Sequence, residues 1–480
     1  MQIKQIIVAL AAALVAGQAA AVAVTQADIA AARTAGTLKE TWLTGASAPT
    51  FNVYDGWALG CDATTQHIFT NQATVGTGKP GSIGNFMAYA CKRSNVVSVM
   101  YHTVDGGSFN AYAPHLTGTA PDGTTMPTQL QRVKNLGTAV VANQVVCTVS
   151  GTYVSPTFGN IPVEANCAKT TLPTADGAIA KPAGGFSDVE GALWGIDVAA
   201  AGTEGDAFVT QAFGVAVSAN LYRELQVAQG IYTSVANANL SDASYDPAFA
   251  PNITTSQYVS IAQLSGGYQT DWSPILGTAG IGKNVHLARR VATSGTQASS
   301  NAFFLENPCA SGASQGQLPP ATAASSTPTF IVTENSSTGN VKTTITSANT
   351  AGNFAIGVVS LENNWRTEST TNGGYRFVKL DGVHPETADT TLARNSSVKG
   401  NYNFVMEMKS YVANTADAFG AALIPTIAAA LGNPAKCSDV PRGLFLNPAG
   451  GSACTIGVEV GKGTKFAWLG SNCSPVQLFY

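Results

Sequence analysis

The sequence predicts an α/β fold with mostly parallel sheets, and three observations predict it. Alternating or apolar strand segments are followed repeatedly by helical ones. Small-residue turns at 44–50, 106–108, 187–188 and 290–296 each follow a strand or precede a helix. Phe208 to Ala219 is a long apolar run of buried-strand character, with a helical stretch, Leu221 to Ala228, directly behind it. In α/β folds ligands sit beyond the carboxyl ends of strands, so four such turns point to one site.

Along the chain, Thr25 to Thr34 reads as a short amphipathic helix with Thr25 as its N-cap. Trp42 to Gly45 is the first strand and runs into a loop of small and hydroxyl residues through Thr50. Ser82 to Lys92 reads as helical, and Val96 to Tyr101 as a strand ending in Val104-Asp105-Gly106-Gly107-Ser108. Residues 114–180 are rich in Thr, Pro and Gly, with alternating segments at Gln129–Val133 and Thr138–Val149, and read as a β-rich insert. After Gly184-Gly185-Phe186-Ser187-Asp188 come the apolar strand at 208–219 and helices at Leu221–Ala228 and Tyr258–Leu264. Residues 311–328 read as a surface loop. Further strands fall at Phe354–Leu361, Tyr375–Leu380 and Phe404–Val412, and a helix at Ala418–Leu431.

Composition narrows the function classes. The 480 residues carry 11% charged residues and a net charge of −3, against about 25% charged residues in an average soluble protein. No basic patch with interleaved aromatics occurs, so nucleic acid is not an expected partner. Residues 1–20 read as a secretory signal: Lys4, the apolar run Ile6 to Ala16, and small-residue cleavage sites at Gly17-Gln18-Ala19 and Ala19-Ala20-Ala21. That run is too short to span a bilayer, and no later segment is long enough. The nearest, Ala421 to Leu431, reads as a buried helix kinked at Pro425. A periplasmic or secreted location is expected.

The eight cysteines fit that compartment, because an even number behind a signal peptide implies disulfides. Neighbours in sequence suggest Cys61–Cys91, Cys147–Cys167 and Cys454–Cys473, leaving Cys309–Cys437; other connectivities stay open. No spacing resembles a zinc site, and neither metal nor cofactor is expected.

The most informative stretch is Val285-His286-Leu287-Ala288-Arg289-Arg290-Val291-Ala292-Thr293-Ser294-Gly295-Thr296-Gln297. It reads as an alternating strand, a small-residue turn, and a helix starting at about Thr296. Ser294 and Thr296 offer hydroxyls, and Gly295 lets the backbone approach a ligand closely. The first N–H groups of a helix lack internal partners, and Arg290 adds a charged fork; together they make an oxyanion cradle. An ordinary capped strand-to-helix turn accounts for the same residues.

Taken in order, the motifs resemble those of the periplasmic phosphate-binding proteins of ABC transporters. Leu43-Thr44-Gly45-Ala46-Ser47-Ala48-Pro49-Thr50-Phe51 is similar to the family's N-terminal Leu-Thr-Gly-Ala-Gly-Ala-Thr-Phe motif. Phe186-Ser187-Asp188 resembles its Ser-Asp element, and Phe213-Gly214-Val215-Ala216-Val217 the strand crossing to the second lobe. Arg289 to Thr296 resembles its Arg-Arg-x-Asp-Gly-Ser-Gly-Thr loop, and Ala355-Ile356-Gly357-Val358-Val359 its Gly-Ala-Ile-Gly-Tyr strand.

The resemblance implies a two-lobed type II periplasmic-binding-protein fold. Lobe one combines 38–212, insert included, with 361–480, lobe two is 213–360, and a disulfide-bearing C-terminal extension has no counterpart. It implies an anion cleft lined by Thr50, Ser108, Asp188, Arg290, Ser294, Gly295 and Thr296. Asp188 is the discriminating residue: beside an anion it is repulsive unless the ligand donates a proton, so hydrogen phosphate fits and sulfate does not. The chain departs from the pattern at Ala292, where the family has an acidic partner for the arginine, at Thr293 in place of a glycine, and at Pro49.

The function expected from residues and resemblance together is that of a secreted binding protein, not an enzyme, capturing phosphate or a similar oxyanion, with an ABC permease as partner. The alternatives are a structural or adhesive surface protein on the same scaffold and a phosphoester hydrolase. The last needs His102 or His286 as base for Ser108 or Ser294.

Overall fold

The computed structural model describes residues 22–73, 84–126, 130–137, 147–155, 157–171, 179, 181–238, 246–263, 271–310, 315–323, 329–368, 373–387, 389–433, 440–446, 466–467, 471–474 and 477–478. The signal segment 1–20 lies outside them. The chain packs into two compact units, one bounded by Met1–Glu40, Trp57–His102 and Gln131–Ala178, the other by Thr41–Gly56, Thr103–Leu130 and Ile179–Tyr480.

In the first unit, the helix Gln26–Thr34 begins as expected. Thr25 and Asp28 form a reciprocal capping box, with Asp28 N–H donating to Thr25 Oγ1 (3.2 Å) and Thr25 N–H to Asp28 Oδ2 (2.8 Å). The helix expected at Ser82–Lys92 is instead a strand, Phe86–Arg93. It lies antiparallel to His67–Thr70 in the register His67↔Ala90 to Thr70↔Met87. Ser94 and Asn95, with φ of 49° and 65°, then turn the chain into the strand Val96–Thr103. Met, Ala and Tyr are tolerated in either state, and the left-handed Ser-Asn turn with a waiting partner strand decides for the sheet.

The insert is β-rich. Val149–Ser155 and Gly159–Ala165 form a hairpin joined in parallel to His67–Thr70 (Ile68↔Val163), and Gln131–Val133 pairs with Lys169–Thr171. The strand expected at Thr138–Val149 falls largely outside the described residues. Disulfides close Cys61–Cys91 and Cys147–Cys167.

The second unit is built on a mixed sheet in the order Phe330–Asn335, Val285–Arg290, Phe354–Ser360, Gly202–Ser218, Val405–Ala413, Gly184–Ser187, Lys39–Gly45. The first three strands are mutually parallel, as are the last two. The 17-residue strand Gly202–Ser218 runs antiparallel to its neighbours and joins these groups. Its register shifts between Asp206 and Thr210, where Phe208 takes φ 59°.

Period-two alternation sorts its side chains onto two cores. Phe213, Val215 and Val217 pack with Ile356, Leu287 and the helices Ala219–Ala228 and Gly295–Leu305. Ala212 and Ala216 face the other way, toward Ala288, Ala355 and the helix Thr338–Thr350 through Val341 and Ile345. Helices on both faces of the sheet are the α/β arrangement expected, but the sheet is mixed rather than mostly parallel, because Gly202–Ser218 and its partners pair antiparallel.

The helix Ala418–Leu431 contains Pro425 and buries one face, through Leu423, Ile424, Ile427 and Leu431. No helix among the described residues is long and apolar enough to cross a membrane.

One disulfide corrects the expected pairing. Cys473 bonds to Cys309, not to Cys454. Closeness in sequence suggested Cys454, but the turn at 471–474 docks elsewhere through Asn472, which sets Cys473 beside the chain just past the helix Gly295–Leu305. Cys437 and Cys454 lie outside the described residues.

Candidate anion-binding site

The strand Val285–Arg290 ends in a turn whose backbone is held from outside. Phe109 N–H donates to Thr293 O (3.2 Å), and Trp194 Nε1 donates to Ala292 O (3.0 Å). Gly107, at φ 85°, faces the turn, and a Cβ there would stand 3.2 Å from Ser294 Cα. Ala292 and Thr293, the two departures in this loop, thus serve through their carbonyls.

Ser294 caps the helix Gly295–Leu305 without a side-chain cap bond. The first intrahelical bond is Ala298 N–H to Ser294 O (2.9 Å). The N–H groups of Gly295, Thr296 and Gln297 precede it and point out of the helix end. A carboxylate stands directly in front: a Cβ at Gly295 would lie 2.6 Å from Asp188 Oδ2 and closer still to Ser108 Oγ. Only glycine fits.

Asp188 is 6% exposed. Ser108 Oγ donates to its Oδ2 (2.9 Å), while Oδ1 is buried with no hydrogen-bond partner among the described residues. Burial pushes the Asp188 carboxyl up to about 6, against the opposing pull of Ser108 and Arg290.

Arg290 is buried as well, and burial lowers its pKa to about 10 against the pull of Asp188 and Glu362. Its Nε donates to Asn335 O (3.3 Å), Nη1 to Thr338 Oγ1 (3.0 Å) and Nη2 to Ser336 O (3.1 Å). A guanidinium has five N–H donors. Those three bonds leave two (5 − 3) with no hydrogen bond among the described residues.

Sequence reasoning missed Glu362, an acid within electrostatic reach of both Arg290 and Asp188. It accepts from Ser360 Oγ (2.7 Å), Asn363 Nδ2 (3.1 Å) and Gln211 Nε2 (3.1 Å), and burial raises it to about 7, with Asp188 pushing the same way. Its signal was present: like the other turns, Glu362 comes just after an apolar strand, Phe354–Ser360, with Leu361 between them.

The structure therefore gathers Ser108, Asp188 and Gly295 in direct contact, with Ser294 and Thr296 on the same turn and Arg290 in electrostatic reach. Thr50 is buried at the start of the helix Thr50–Ala58, and its hydroxyl donates to Ser47 O (2.6 Å), so that proton is already used. No hydrogen bond joins a histidine to Ser108 or Ser294 among the described residues. His102 Nδ1 lies 3.4 Å from Tyr89 OH, and burial holds the imidazole near 3.

No family model matches the chain, and no curated protein matches it. Among solved structures it is similar to a phosphate ABC transporter substrate-binding protein with bound phosphate from Clostridium perfringens, at 11% identity over 81% of this chain and 93% of the other, TM-score 0.34. PstS from Borrelia burgdorferi is matched at 10% identity over 81% and 92%, TM-score 0.31. An ABC-type phosphate transport receptor from Vibrio cholerae is matched at 16% identity over 51% and 72%, TM-score 0.27.

Proposed function

We propose that this chain is a secreted or periplasmic solute-binding protein that captures phosphate, or a similar small protonated oxyanion, between Ser108–Asp188 and the first turn of the helix Gly295–Leu305. The observation that carries the reading is Asp188, whose Oδ1 is buried with no partner among the described residues and whose Oδ2 stands against Gly295, the first residue of the helix. A ligand that suits both must accept several hydrogen bonds and donate one. Hydrogen phosphate does both, whereas sulfate has no proton to give.

In this reading the two sides belong to lobes 38–212 with 361–480 and 213–360, which part and close across the strand Gly202–Ser218. The ligand is held rather than turned over, and an ABC permease is the partner that receives it.

Isothermal titration of phosphate-stripped protein tests the proposal. Micromolar or tighter phosphate binding with no response to sulfate at neutral pH is expected. Binding of neither anion would overturn it and leave the structural or adhesive role.

A further inference from the structure

The turn 471–474 makes two attachments that the captured anion does not require. Its Cys473 is bonded to Cys309, four residues beyond Leu305 (309 − 305), the last residue of the helix Gly295–Leu305. Its Asn472, buried at 4% exposure, is docked on the other side of the site. Asn472 N–H donates to Glu190 Oε1 (2.7 Å), and its Nδ2 donates to Glu190 Oε2 and to Glu407 O (3.3 Å). Glu407 N–H donates in turn to Asn472 Oδ1 (2.8 Å). Glu190 is two residues beyond Asp188, and Glu407 lies in the strand Val405–Ala413, which pairs with Gly184–Ser187 just before it.

We infer that this turn is a strap that restrains opening of the anion site, by tying the helix that carries Ser294, Gly295 and Thr296 to the segment that carries Asp188. The inference rests on the proposal that these are the two sides of one cleft. For an anion to enter or leave, the Gly295 turn must move off Ser108 and Asp188. The helix moves as one rod, about 16 Å long at 1.5 Å per residue.

The link beyond the helix moves with it. Asn307 N–H donates back to Asn301 O (3.1 Å), and Ala310 N–H donates to Glu306 O (2.7 Å). Displacing the helix therefore pulls on Cys309, and through the disulfide on Asn472. Freeing Asn472 would take two donors from Glu190 at a buried position, where an ionised carboxylate is costly without them. Opening is thus coupled to undocking the tail.

The experiment compares the full chain with the Cys309→Ser/Cys473→Ser double variant, and with Asn472→Ala, which keeps the disulfide. The first readout needs no ligand: amide hydrogen exchange at 106–109 and 291–296 in anion-free protein. The second is the release rate of radiolabelled inorganic phosphate.

Exchange at both segments is expected to rise about tenfold in the double variant, and in the same direction in Asn472→Ala, because local opening no longer drags the tail. Phosphate release is expected to quicken in step. Unchanged exchange in both variants overturns the strap. Faster exchange in both, with no phosphate bound by any form, supports the strap and overturns the phosphate reading instead. Should the double variant not fold, Asn472→Ala decides alone.

Discussion

Gly295 meets Asp188 with no space for a side chain: a Cβ at position 295 would lie 2.6 Å from the carboxylate Oδ2. The amino end of a helix is thereby set against an acid whose other oxygen, Oδ1, has no partner among the described residues. Two groups of opposite need meet there, and the predictions below follow from that pairing.

Gly295→Ala forces the helix end away from Ser108 and Asp188. Overpacking of this kind costs about 1–3 kcal/mol, and phosphate affinity is expected to fall at least about tenfold as the N–H groups lose their position. Gly339→Ala is the control, since a Cβ there meets Ser337 Oγ at 3.6 Å, ordinary contact. Calorimetric titration and thermal melts of both variants check this; equal losses in the two would refute it.

Asp188→Asn changes how stability depends on pH. The fold raises the Asp188 carboxyl from 3.8 to about 6, so the folded chain holds this proton more tightly than the unfolded one. The group's stabilising contribution is therefore full below pH 3.8 and is lost as pH rises through 6. The asparagine variant has no such loss. Between pH 3.5 and pH 7 it should gain on the parent by up to about 3 kcal/mol, from about 1.4 kcal/mol per pKa unit. Urea unfolding of anion-free protein at the two pH values measures the gap.

Sulfate should bind better in acid. Once protonated, Asp188 can donate a hydrogen bond to a fully ionised anion. From pH 7.5 to pH 5 sulfate affinity is expected to rise at least about tenfold in the parent protein, and to change little in Asp188→Asn, which donates at either pH. Titrations of both proteins at both pH values decide it.

Arg290→Lys keeps the charge and loses the fork. Lysine cannot serve Asn335 O, Ser336 O and Thr338 Oγ1 together and still reach an anion. Loss of these charge-assisted bonds predicts a loss of about 2 kcal/mol in stability, with phosphate affinity lower by at least about a hundredfold. A variant that binds phosphate as tightly as the parent would remove Arg290 from the site.

Much of the frame could be read from local chemistry. Thr25 and Asp28 cap their helix because a hydroxyl and a carboxylate three residues apart satisfy each other's backbone. The alternation of Val285 to Arg290, followed by Ser294-Gly295-Thr296, produced the strand, turn and helix expected of it, with the helix starting one residue earlier than read. The strand Phe86–Arg93 was misread because methionine and alanine suit a helix equally, and its partner His67–Thr70 is remote in sequence.

By itself, the sequence determined the periodicities, the caps, the turn residues and the hydroxyl, arginine and aspartate chemistry gathered at the candidate turns, since these depend on neighbours within a few positions. Only the tertiary structure decided that Glu362 comes within electrostatic reach of Arg290, that the Thr50 proton goes to Ser47 O, and that Cys473 reaches Cys309. Two of these depend on distances between residues far apart in the chain, and the third on a rotamer. Spacing along the sequence encodes neither the long-range approaches nor that rotamer.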